Sequence, residues 1–466
     1  MSLPLRVQKV LDDWNVAYTV SARAALPKQS PVYNMPGISD NTAQLCILED
    51  SIGKVQVIFP ATCILDLNKL LMATARQFTP IGAAKMAKVL QGLNLDSLPA
   101  LPQVTGLDTY VDASLLEKDT ISMTLGPDQV LEMPQNDFQT LISSARLGDF
   151  SSPVPVPALP NTHWATQDQA QINHAVATFT QRRISQRLEE TLDMPPMPET
   201  AQKIIELRMD PNAETEQLAA LVAKDPGLAA QVISWANSPY YGVSGTITSV
   251  QEAVVRVLGF DLVINLALGL SLGRTLEVPK DGPSGYTPYW QQSVCMASLM
   301  TELVRALPAE RRPPMGMAYL CGLLQNFGHL LLAHVFPPHF ALVNRHMEAN
   351  PQVNRYFIEH HLLGITREQI SSNLFKQWGL PDEVCTAIRY QNEPSYGDKH
   401  CVLSQMLYVA ARMLSQSGLG DAPVEDLPNT VVTALGLDQA KAEKGMEKVL
   451  ESMDDLKEMA RQMGSA

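Results

Sequence analysis

Apolar positions in this chain follow two rhythms in turn, and the change falls near residue 150. In the first stretch Val7, Val10, Leu11 and Trp14 recur at helical spacing and predict an opening helix. The runs LCIL (45–48) and VQVIF (55–59) flank Asp50-Ser51-Ile52-Gly53, which reads as a hairpin with a glycine available for positive φ. Helical patterns follow at 66–74 and 83–90. ISMTL (121–125) and QVLEM (129–133) give a second hairpin pattern around Gly126-Pro127-Asp128, and 137–145 reads as a closing helix. Residues 1–150 are therefore expected to form an α+β domain with a mixed sheet.

Residues 151–165 read as a linker, because Pro153, Pro155, Pro157 and Pro160 favour extended polyproline II over helix or central strand. From 166 the period is helical. Ile172, Val176, Phe179, Ile184, Leu188 and Leu192 keep one stripe, and further helices are predicted at 199–208, 214–223, 226–237, 249–258 and 261–272. Asp225 precedes Pro226 and suits a helix N-terminus, while Ser238-Pro239 and Gly242 close that unit. Later helices are predicted at 289–307, 318–336, 339–348, 354–364, 367–378 and 382–391. An all-α domain over 166–400 and a helical extension over 401–466 result. In the extension Met446, Val449, Met453, Leu456, Ala460 and Met463 form a short heptad seam. It either packs on its own domain or joins a second chain as a homodimer.

Composition narrows the functional classes. The chain has 466 residues, long enough for two or three domains, with 45% apolar and 18% charged residues, as in a globular protein. Its 35 Lys and Arg against 48 Asp and Glu work against a phosphate backbone as partner. The six cysteines are scattered without a C-x-x-C pair, which argues against a zinc ribbon and fits a reducing cytoplasm. The N-terminus shows no signal-peptide pattern, and the most apolar stretch, 254–272, carries Arg256, Asp261 and Asn265, so no membrane partner is expected.

MPPMPETAQKIIELRMDPNAETEQLAALVAKDPGLAAQVISWANSPYYG (194–242) and ITSVQEAVVRVLGFDLVINLALGLSL (247–272) resemble the opening of HDOD domains. The paired prolines, Asp225-Pro226, Ala236-Asn237-Ser238 and the AxxxxLG of 253–259 carry the resemblance. It implies an all-α bundle related to HD-type metal phosphohydrolases and a regulatory role in bacterial signalling. In those hydrolases imidazoles and an aspartate hold metal ions that activate water for attack on phosphorus. At the matching positions this chain has Gln292, Gln325-Asn326, Arg367 and Gln391-Asn392. An amide oxygen is a weak neutral ligand, Asp to Asn removes an anion, and an arginine repels a cation. No metal, no cofactor and no catalytic residue are expected. The pocket then either senses an anionic small ligand through its amides and Arg367, or is a self-satisfied polar network. His329, His334, His339, His346, His360 and His361 do not share a helix face and read as scattered surface or satisfied core histidines rather than a metal cluster.

LDDWNVAYTV (11–20), LCILED, PATCILDLNKL (60–70) and YVDASLL (110–116) resemble the YbaK/ProX-type aminoacyl-tRNA deacylases. The family's lysine position here reads Asn41-Thr42-Ala43-Gln44-Leu45, and the glycine pair is missing from 93–99. With 11 Lys and Arg against 15 Asp and Glu in this region, loss of that activity is expected. The reading is a non-catalytic signalling protein whose expected partner is another signalling protein. The rivals are a trans-editing deacylase and a metal-dependent phosphohydrolase.

Overall fold

The computed structural model describes residues 3–22, 39–126, 129–155, 164–185, 195–242, 244–279, 287–335, 337–422, 424 and 426–464. They divide into two units: the first holds the described residues up to 155 together with 341–362, the second the remainder.

In the first unit, α1 (Leu5–Asp13) buries Val7 and Leu11 as its spacing predicts. Next come β1 (Thr19–Ala22), the hairpin of β2 (Ala43–Glu49) and β3 (Lys54–Pro60), then β4 (Cys63–Leu65) and α2 (Leu67–Thr74). β5 (Thr79–Pro80), α3 (Ala83–Leu93), α4 (Pro102–Thr105) and β6 (Asp108–Asp112) follow. β7 (Thr120–Thr124), β8 (Gln129–Pro134), α5 (Gln135–Leu141), β9 (Arg146–Gly148) and β10 (Ser151–Pro153) complete the set. The main sheet runs β5-β2-β3-β6-β9, with β3, β6 and β9 parallel and β2 antiparallel to β3. A smaller sheet runs β1-β8-β7, and β10 pairs with β4.

The central strands are buried on both faces, which explains their continuous apolar runs. Val55, Val57 and Phe59 join one core with Leu48, Tyr110 and Phe150, while Ile58 joins the other with Ile47 and Val111. Gln56, fully buried on the Ile58 side, is satisfied by donating to Pro102 O and Leu107 O and accepting from Thr105 Oγ1. The hairpin turn is closed by Asp50, whose carboxylate accepts from the Ile52 and Gly53 N–H groups. Gly53 has φ 159°, the positive value for which the sequence holds a glycine there.

The second unit is helical. It comprises α6 (Trp164–Ser185), α7 (Glu199–Met209), α8 (Thr215–Ala223), α9 (Pro226–Ala236), α10 (Val250–Ala253) and α11 (Phe260–Gly273). α12 (Tyr289–Ala306), α13 (Met315–Leu324), α14 (Phe327–Val335) and the start of α15 (Pro337–Ala349) come next, while α16 (Arg355–Leu363) lies almost wholly in the first unit. α17 (Arg367–Gln377), α18 (Asp382–Tyr390), α19 (Cys401–Gln416), α20 (Asn429–Leu435), α21 (Gln439–Glu451) and α22 (Met453–Gly464) end the chain. Asp225 caps α9 by accepting from Leu228 N, with Pro226 in the first turn, as its sequence predicts.

Five expectations need correction. The chain as a whole is not all-α, since among the described residues ten strands precede residue 154. The linker predicted at 151–165 begins as strand β10 and ends in α6; its middle, 156–163, lies outside the described residues, as do 186–194 at the end of the Ile172 stripe. The helix predicted at 318–336 is two helices that break at Gln325-Asn326. The helical domain predicted at 166–400 is not one contact unit, because 341–362 join the first. The C-terminal seam is split at Ser452 into α21 and α22, whose Met446, Val449, Leu456, Ala460 and Met463 are buried within the second unit, both helices packing on α12. Lys448 there donates to the buried Glu302 of α12 at 2.8 Å.

Candidate functional site

The amide positions singled out by sequence are delivered by four separate helix ends. Gln292 sits in the first turn of α12, and Gln325 and Asn326 form the break between α13 and α14. Arg367 opens α17, whose start is fixed by a reciprocal pair: Thr366 Oγ1 accepts from Gln369 N, and Gln369 Oε1 accepts from Thr366 N. Gln391 and Asn392 follow the last turn of α18. Gly328 lets α14 approach α17 closely, since a Cβ there would overlap the Arg367 carbonyl group. Gly322 does the same for α13 against α12, where a Cβ would lie 2.6 Å from Ala297 Cα.

Three of the six predicted residues close into one ring with a fourth that sequence reasoning missed. Arg367 Nη1 donates to Asn326 Oδ1 at 2.7 Å and to Asp421 Oδ2 at 3.2 Å. Gln292 Nε2 donates to Asp421 Oδ1 at 2.8 Å, and Asn326 Nδ2 to Gln292 Oε1 at 3.4 Å. Arg367, Asn326 and Gln292 are all buried. The other predicted residues are neighbours, not members: Gln391 Nε2 donates to Gln325 O at 3.0 Å, and Asn392 Nδ2 to Glu368 Oε1 at 3.0 Å. Asp421 carries a signal that was readable only in part, a carboxylate set beside Gly418 and Gly420 in a loop.

This arrangement holds one cation and one anion inside a frame of amides. The positive charge is covalently part of the chain, and carboxylate and amide oxygens already neutralise and solvate it. A divalent metal placed there would meet a guanidinium, and among the described residues no group of three or more His, Cys, Asp or Glu could hold a metal ion. Two of the histidines have hydrogen-bond partners in the core of their unit. In the first unit His361 Nε2 lies 3.2 Å from Asp66 Oδ2, and His346 Nε2 accepts from Leu67 N at 3.2 Å.

Residues 194–394 match the HDOD domain model. A solved structure from Marinobacter aquaeolei VT8, provisionally named as a signal transduction protein, is 41% identical, with 99% of this chain and 100% of that one covered and a TM-score of 0.87. The chain belongs to the HDOD family. An uncharacterised protein of Treponema pallidum (strain Nichols) is 20% identical over 288 residues, 62% of this chain and 55% of that protein. The chain thus spans little more than half of the curated relative it matches. A structure from Shewanella amazonensis SB2B, provisionally named a phosphohydrolase, is 21% identical with a TM-score of 0.46, covering 58% of this chain and 95% of that one.

The second unit carries a second buried charge pair, which sequence reasoning also missed. Arg389 of α18 donates to Asp168 of α6, Nε to Oδ2 at 2.5 Å and Nη2 to Oδ1 at 3.2 Å, and Gln369 Nε2 adds a bond to Oδ1 at 2.8 Å. Half-buried Glu393 stands close by. Burial pushes its carboxyl up to about 7, Arg389 opposing the rise and Glu368 adding to it. The folded state therefore holds a proton that the unfolded chain releases at about pH 4.3, and stability falls as pH rises from there towards 7. Glu393→Gln is expected to match the parent at about pH 4 and exceed it at about pH 8 by on the order of 2 kcal/mol. Urea midpoints at the two pH values check this, and equal gains at both would refute it.

Proposed function

We propose that this HDOD protein is a non-catalytic signalling component, acting through protein contacts of a metal-free helical domain. The observation that carries the reading is the Arg367–Asp421 ion pair inside the ring of Gln292 and Asn326. Phosphoester hydrolysis by an HD-type site needs a metal-activated water, and here the cation is a guanidinium, which activates none. The signal transduction name of the Marinobacter relative supports the signalling half of the reading, and another signalling protein is the partner class that fits. Among the described residues no helix is long and apolar enough to cross a membrane.

Elemental analysis of the purified protein tests the metal-free half. Divalent metal well below one ion per chain is expected, with no hydrolysis of nucleotides or cyclic dinucleotides when manganese or zinc is added. One tightly held ion per chain would defeat the reading.

The first unit fits a YbaK/ProX-like domain that has lost deacylase chemistry. Where that family has its lysine, Asn41 donates to Thr120 Oγ1 at 3.0 Å and Thr42 shares a 2.9 Å hydrogen bond with Ser122 Oγ. None of these side chains carries the positive charge that the family's lysine would bring to an ester carbonyl. Sustained deacylation of a mischarged tRNA by the full chain would contradict this.

A further inference from the structure

Arg367 and Asp421 come from elements far apart along the chain, one opening α17 and the other lying in the loop after α19. The Asp421 carboxylate is clamped at two points. Oδ1 accepts from Gln292 Nε2 at 2.8 Å, and Oδ2 accepts from Arg367 Nη1 at 3.2 Å. The Arg367 side chain is 2% exposed and that of Asp421 10%, so the carboxylate reaches inward from the margin to a buried cation. The loop is shaped for this reach. Gly418 and Gly420 have φ of 75° and 88°, in the left-handed region, and a Cβ on Gly420 would stand 3.4 Å from Gln292 Nε2. Gly420 N donates to Thr287 Oγ1, and Ser415 Oγ to Ala422 O, each at 2.8 Å.

We infer that Asp421 is a built-in pseudo-ligand, and that a small oxyanion presenting two oxygens displaces it from Arg367 and Gln292. The inference rests on the metal-free reading above. A guanidinium accepts a carboxylate or a phosphate group through the same planar donors, and the Gln292 amide adds a donor beside it. A buried cation is costly to leave bare, so residues 417–422 leave the site when another anion takes the carboxylate's place. Loop position and ligand occupancy are then coupled: whatever anion prefers the vacated clamp shifts the loop outward. Such a loop gives a domain without catalysis a way to report a metabolite to a partner.

Hydrogen exchange of the full chain tests this, with inorganic phosphate and acetate titrated separately against chloride at equal ionic strength. Exchange across 417–422 is expected to rise with phosphate, acetate or both, and the two arms show which head group is preferred. Asp421→Asn removes the competing charge and is expected to bind that anion about tenfold more tightly or better. Arg367→Met combined with Asp421→Asn removes both charges, keeps the site neutral and is expected to lose the response. A wild-type loop that neither anion moves overturns the proposal, as does an unchanged affinity in Asp421→Asn or a response that survives in the double variant. Should Asp421→Asn not fold, the wild-type titration and the double variant decide. Elemental analysis separates the two failures: bound metal defeats the metal-free reading, whereas a metal-free protein with an unresponsive loop defeats only the pseudo-ligand.

Discussion

Asp168→Ala is expected to lower the stability of the helical second unit by about 3–5 kcal/mol, the range for leaving a buried charge uncompensated. Asp168 and Arg389 side chains are 3% and 5% exposed, and the carboxylate also accepts from Gln369. Removing it leaves a buried guanidinium facing a void and takes an acceptor from Gln369, which keeps its contact with Gln171 Oε1 at 2.6 Å. The pair joins α6 to α18, and through Gln369 to α17, so the loss falls on three helices together. Arg389→Met in the same chain is expected to restore most of the stability, because two apolar groups of similar shape replace the charged pair. By contrast Glu199→Ala, which breaks an exposed bridge to Lys203 on one helix, is expected to leave the unfolding midpoint essentially unchanged. Denaturant unfolding of the four proteins checks the ranking. A single-variant loss below about 1 kcal/mol would show that water reaches Arg389.

Gln292, Asn326 and Arg367 could be singled out because each stands within a recognisable local frame of the resemblance. Gln292, Asn326 and Arg367 stand on three elements and meet as the resemblance implies. Their anion was not legible, since Asp421 lies in a loop whose register against Arg367 is set only by the folded helices. Helix periodicity was equally blind to the break at Gln325-Asn326, because the apolar residues on both sides stay in phase and no proline intervenes. Strand β10 hides in a proline-rich run; Pro153 is tolerated because the strand is short and pairs with β4. β6 hides behind Asp108 and Asp112 at the ends of a five-residue strand. Asp112 reads as a loop residue, yet its carboxylate accepts from the Phe150 and Ser151 N–H groups at 2.8 and 2.7 Å.

The membership of 341–362 in the first unit was the least legible feature, and one residue there carries the second large expectation. Asn350→Ala is expected to destabilise that unit by about 3–4 kcal/mol, because it strands two buried backbone groups at about 1–3 kcal/mol each. Asn350 is fully buried; its Oδ1 accepts from Leu65 N at 2.6 Å and its Nδ2 donates to Leu65 O at 3.1 Å. The side-chain amide thus supplies β4 with what a neighbouring strand would supply. Gln352 extends the match by donating to Cys63 O at 3.2 Å, and His346 accepts from Leu67 N while its Nδ1 meets Leu342 O at 2.9 Å. Between them Asp66 caps α2; burial opposes its charge, but His346 and His361 beside it hold the carboxyl well below the usual range. Denaturant unfolding, with exchange of the Leu65 amide as a local probe, checks the expectation. A small loss with a still-protected amide would mean that the segment is held by its apolar contact through Ala349 and not by its reading of the β4 backbone.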